Sequence, residues 1–161
     1  MNHKITLGGL VSLCLMVAFT ILLTSVPAEA AHCSTAASAG MWDYTYTGTI
    51  FTSSGPLPAA SVGHFRQDAA GKLTGSQTRS VAGGSGVEDI SGNITVRGNC
   101  TATATIIVLV KGELQRTAVL AVTFDNNMNH GRGIFKSLVL PDGTNVPVVI
   151  TSDNTRVFPK N

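Results

Sequence analysis

The feature that most constrains this chain is an alternation of period two, repeated in short segments from residue 42 almost to the C-terminus. In residues 42–51 (WDYTYTGTIF), Trp42, Tyr44, Tyr46 and Ile50 fall on one face, while Asp43, Thr45, Thr47 and Thr49 fall on the other. The alternation returns over residues 60–67, 72–81, 87–97, 100–110, 115–124, 132–140 and 146–151. Side chains on a strand point alternately to its two faces, so such a segment buries one face as a strand and none as a helix. No stretch beyond residue 30 sustains a 3.6-residue period.

Turn chemistry separates these segments. Asp68-Ala69-Ala70-Gly71 has Asp first and Gly last, as type I turns favour. Residues 82–86 (AGGSG), Arg97-Gly98-Asn99, Lys111-Gly112 and Pro141-Asp142-Gly143 read as further reversals, with polar loops over residues 52–58 and 125–131. Pro147 removes a ladder donor and fits an edge or a bulge, and residues 155–158 read as a short final strand. Roughly eight strands joined this tightly predict an all-β fold. An up-and-down antiparallel barrel of about eight strands is favoured, with a β-sandwich as the alternative, because hairpins in sequence order close without exposed edges.

The N-terminus has the layout of a secretory signal peptide: a basic start through Lys4, an apolar stretch over residues 5–26, Pro27, and Ala28-Glu29-Ala30 as an A-x-A cleavage site. The expected organisation is therefore a signal peptide over residues 1–30 and a single β-barrel domain over residues 31–161. Cys14 leaves with the signal. Cys33 and Cys100 remain, and two cysteines in an exported chain predict one disulfide. It closes a loop of about 68 residues, which the loop-entropy relation values at about 4 kcal/mol. The net charge is only +2 and the basic residues are scattered singly, so no electrostatic footprint for nucleic acid exists.

Two resemblances add to this. Residues 68–75 (DAAGKLTG) resemble the D-G-x-G-x-L-T-G hairpin of a large group of small exported bacterial proteins. Gly92-Asn93-Ile94-Thr95-Val96, followed by Asn99-Cys100-Thr101-Ala102-Thr103, resembles their G-x-Y-T-V…D-C-T-G-T hairpin, with Ile94 in place of the aromatic, Asn99 of the acid and Ala102 of the glycine. The resemblance implies a calycin-like or allene-oxide-cyclase-like barrel and export, and it brings no assigned activity. Gly40-Met41-Trp42 is also similar to the G-x-W of lipocalins, which implies a Trp plugging one end of the barrel against a basic side chain near the C-terminus; Arg156 is the residue in place for that.

Catalytic motifs are absent. Ser61, His64 and Asp68 lie close in sequence, yet alternation separates Ser61 from His64, and Glu88 and Asp89 point to opposite faces. No histidine or cysteine pair has metal-ligand spacing, and no cofactor is expected. Pocket candidates are the apolar row Ile106, Val108, Val110, Leu120, Val122 and Phe124 with the polar groups Tyr44, Tyr46, His64 and Arg66. The expectation is an exported soluble barrel, secreted or periplasmic and outside the membrane once the signal is removed. It binds a small apolar ligand or serves as an envelope module. The alternatives are a cavity enzyme of isomerase type and a small outer-membrane barrel.

Overall fold

The computed structural model describes residues 33–157; the expected signal peptide and its cleavage site lie outside them. Eight antiparallel strands run in chain order: β1 (Gly40–Thr52), β2 (Gly55–Gln67), β3 (Lys72–Val81), β4 (Gly84–Val96), β5 (Thr101–Val110), β6 (Glu113–Phe124), β7 (His130–Val139) and β8 (Val148–Val157). Each pairs with the next, and β8 returns to β1, so the sheet closes into a barrel with no sandwich layer. The period-two pattern becomes inside and outside. On β4, Glu88, Ile90, Gly92, Ile94 and Val96 are buried, while Asp89, Asn93 and Thr95 are exposed.

Two boundaries differ from expectation. The loop predicted over residues 52–58 is mostly strand, because β1 and β2 turn over at Ser53-Ser54 alone. Pro56 and Pro58 are tolerated there for a physical reason. The Pro58 carbonyl accepts from the Ala82 N–H (2.9 Å), so the even-numbered residues direct their backbone groups away from β1. Strand β3 ends at Val81, opposite Ala59, and no ladder bond is lost. At the other end, β8 is continuous where two short strands were expected, and Pro147 precedes it. The Pro147 carbonyl accepts from the Phe51 N–H (2.9 Å).

One end of the barrel is sealed. The turns at residues 68–71, 97–100 and 125–128 lie there, each closed by an N–H of the fourth residue on the carbonyl of the first (3.0, 3.0 and 3.1 Å). The fourth residue is left-handed in each: Gly71 (φ 88°), Cys100 (φ 63°) and Met128 (φ 53°). A side chain in that conformation costs about 1–2 kcal/mol. The Cys33–Cys100 disulfide (Cα–Cα 4.9 Å) holds one such residue, and burial of Met128 in the core offsets the cost at the other.

The turn over residues 34–39 lies across this end. Thr35 accepts the Val96 N–H (3.0 Å), and Gln67 donates to the Thr35 carbonyl (3.1 Å) and to Ser38 (2.5 Å). The Trp42 indole donates to the Ser38 carbonyl (3.0 Å). Trp42 is 1% exposed, and the Arg156 guanidinium sits 5.2 Å from its ring centroid while donating to the carbonyls of Ala37 (2.5 Å) and Ala39 (3.2 Å). The Trp–Arg arrangement implied by the lipocalin-like G-x-W is thus formed.

Candidate functional site

Inside the barrel, above the Trp42 seal, a cavity of about 80 Å³ remains. Its wall is largely apolar, with Phe65, Leu73, Ile94, Ile106, Val108, Leu120, Val122, Phe124 and Phe135 among its residues; the polar groups are Tyr44, Tyr46, Gln77, Arg116, Ser152 and Asn154. Eight strands leave an interior that side chains nearly fill, and here they do. The space is well below the roughly 300–1,000 Å³ typical of drug-sized pockets.

The polar groups converge near the opposite end, the mouth. Register places Tyr44, Gly63, Gln77 and Glu88 in one row across four strands. Gly63 is required in that row. A Cβ on it would lie 2.9 Å from the Tyr44 ring and 2.8 Å from the Gln77 Cβ, so only glycine lets the tyrosine reach over. The Tyr44 hydroxyl donates to Gln77 Oε1 (2.6 Å), and Ser61 Oγ lies 3.2 Å from the same oxygen. This fixes the Gln77 amide so that Nε2 donates to Glu88 Oε2 (2.6 Å).

Glu88 is 2% exposed and carries three further bonds: Arg79 Nε to Oε1 (2.7 Å), Arg116 Nη1 to Oε1 (2.8 Å) and Arg116 Nη2 to Oε2 (2.5 Å). Burial alone would raise the Glu88 carboxyl, but the hydrogen bonds from Arg116 and Gln77 and the two positive charges outweigh it and hold the group below the usual carboxylate range. Burial likewise works against the charge on Arg116, and Glu88 more than restores it. Tyr44 and Tyr46 are both pushed up, chiefly by burial, so both hydroxyls stay protonated at neutral pH.

Seven of the ten pocket candidates line this cavity: Tyr44, Tyr46, Ile106, Val108, Leu120, Val122 and Phe124. Val110 is half-buried at the end of β5, beyond the cavity. His64 and Arg66 are corrected: both are exposed on the outer face of β2, because Ser61, Gly63, Phe65 and Gln67 take the inward positions. His130 is also outside, with Nε2 2.8 Å from Asp153 Oδ1. Among the described residues, no imidazole enters the lumen; of the four polar candidates, Tyr44 and Tyr46 do. Asn99, in a glycosylation-like Asn-Cys-Thr sequence, uses its side-chain oxygen to bond the N–H (3.2 Å) and hydroxyl (2.7 Å) of Thr101.

Gln77, Arg79, Glu88 and Arg116 were not among the sequence candidates. The signal for two of them was parity. Extending the inward row Ile90, Ile94, Val96 back to position 88, and the row Ala118, Leu120, Val122, Phe124 back to position 116, puts a carboxylate and a guanidinium inside.

No protein-family model matches this sequence, and no curated protein matches it. A solved structure, that of EF1p2_mFAP2b bound to DFHBI, is similar at 14% identity with a TM-score of 0.51, over 75% of this chain and 94% of that one. At that identity the likeness speaks to the fold, and the fold it supports is the closed eight-stranded antiparallel barrel found here.

Proposed function

We propose that this chain is an exported protein that holds one small, largely apolar ligand in its barrel lumen. The observation that carries the reading is the cavity itself: a largely apolar space inside the barrel with a few hydrogen-bonding groups, Tyr44, Tyr46, Gln77 and Arg116 among them, in its wall. The similar barrel EF1p2_mFAP2b was solved bound to DFHBI, which supports the lumen as a place for a small molecule. Export rests on the signal-like residues 1–30 and on the resemblance to small exported bacterial proteins, and the disulfide fits an oxidising compartment. No helix of the described residues is long and apolar enough to cross a membrane. Water outside the barrel, in place of lipid, is supported by exposed outward Asp43, Thr45, Thr74, Thr78, Asn93, Thr103 and Thr105.

The test is occupancy of the lumen by a small apolar probe. Titrating 1-hexanol should shift the methyl resonances of Ile106, Val108 and Leu120. Ala104→Leu, which fills the cavity from its wall, should weaken binding at least tenfold while the unfolding midpoint holds. Unchanged binding in that variant would move the site elsewhere. Mass spectrometry of the exported protein should find a mature N-terminus at Ala31.

A further inference from the structure

Two guanidinium groups meet one carboxylate at the mouth. Arg116 is committed to Glu88 through both terminal nitrogens, and its side chain is 13% exposed. Arg79 reaches the same carboxylate through Nε alone. Among the described residues its two Nη atoms have no hydrogen-bond partner, and its side chain is 32% exposed. The other charged side chains of the strands near this end are on outward or turn positions. One positive charge is therefore left unmatched, and it sits on the group nearest water; Gln77 and Arg116, which share the Glu88 carboxylate with Arg79, line the apolar cavity.

We propose that the natural ligand is a short carboxylic acid in its ionised form, its carboxylate taken by the Nη atoms of Arg79 and its apolar body in the cavity below. This rests on the lumen reading above and gives it a ligand class. The planar guanidinium fork matches a carboxylate bidentately, and such charge-assisted bonds are about twice as strong as neutral ones. Glu88 repels the ligand's head in isolation, but it already accepts from four donors and engages Arg79 through Nε alone, which leaves both Nη atoms without a bond among the described residues. The small cavity limits the apolar body to a few carbons without repacking. A cationic ligand of the same shape would meet Arg79 head-on, and an alcohol would leave its charge unmatched.

The experiment compares hexanoate, 1-hexanol and hexylamine on the intact protein, following the Ile106 and Val108 methyl resonances. Hexanoate should bind at least tenfold more tightly than hexanol, and hexylamine should bind weakest. Arg79→Gln should lose the preference for hexanoate over hexanol, while Arg79→Lys should keep part of it. Equal affinities for hexanoate and hexanol, with both shifting the lumen methyls, would overturn the carboxylate proposal and leave the lumen reading standing. If none of the three shifts those methyls, both fall. The ligand series on the unaltered protein decides the matter even if a variant fails to fold.

Discussion

At the sealed end of the barrel one guanidinium, that of Arg156, lies over Trp42 and donates to two backbone carbonyls, with no carboxylate bonded to it among the described residues. At the mouth, Arg79 and Arg116 converge on a carboxylate that is almost fully buried. The first arrangement bonds Nη2 to neutral carbonyls, leaves Nε buried without a partner among the described residues, and fixes a short turn of chain across the opening. The second sets charges against one another. A buried ion pair rarely stabilises a fold more than apolar residues of the same size would, because desolvation offsets the attraction. The sealed end is therefore where the barrel gains stability. The mouth holds chemistry that packing alone does not demand.

The largest expected effect breaks the comparison at the sealed end. Replacing both Cys33 and Cys100 by serine opens a loop spanning 67 positions and should lower the unfolding free energy by about 4 kcal/mol, read from urea denaturation. Hydrogen exchange should rise first around residues 34–39 and in the β4–β5 hairpin, which the disulfide joins. Hexanol binding should persist where the variant is folded. A loss below about 1 kcal/mol would mean that the turn over residues 34–39 seals the barrel without its covalent tie.

The next effect is at the mouth. Glu88→Gln leaves two guanidiniums facing a neutral amide, and removing one partner of a buried pair costs about 3–5 kcal/mol; the partial exposure of Arg79 places this case near 3. The carboxyl is held below its ordinary value in the folded state, so its contribution is present above the unfolded carboxylate pKa and lost as pH falls through the folded value. Urea midpoints measured from pH 7 downward should therefore fall below about pH 4 in the native protein, and more shallowly in Glu88→Gln. Parallel acid limbs in the two proteins would locate the acid sensitivity outside the mouth.

The two ends were unequally legible in the sequence. The seal was readable because its parts are local or few: a tryptophan opening β1, two cysteines with a single pairing, and an arginine late in the chain. Barrel closure followed from alternation and short turns. The mouth was obscured because Gln77, Arg79, Glu88 and Arg116 come from three strands, and each sits in a row whose neighbours are read by their apolar or hydroxyl residues. On β3 the regular hydroxyl row Thr74, Ser76, Thr78, Ser80 is the outer face, while Gln77 and Arg79 lie on the other. His64 and Arg66 failed as candidates for a related reason. The inward row of β2 (Ala59, Ser61, Gly63, Phe65 and Gln67) has a single large apolar residue, so its outward row, with Val62 in it, looked no more polar than the inward one.

The smallest effect tests whether the mouth network acts as a unit. Tyr44→Phe keeps the ring beside Gly63 and Phe65 and removes only the hydroxyl that donates to Gln77 Oε1. A single hydrogen bond of this kind is worth about 1 kcal/mol, and that is the expected loss. The alkaline limb should change as well. Burial holds the Tyr44 hydroxyl in its protonated form, so its contribution is complete below the unfolded tyrosine pKa and is lost as pH rises through the higher folded value. The native protein should therefore weaken above about pH 10, and Tyr44→Phe should weaken less steeply there. If Gln77 also relaxes its grip on Glu88 when the hydroxyl is gone, the variant and Glu88→Gln will not be additive in the double mutant. Additive losses would instead mean that the row from Tyr44 to Glu88 is a set of independent bonds.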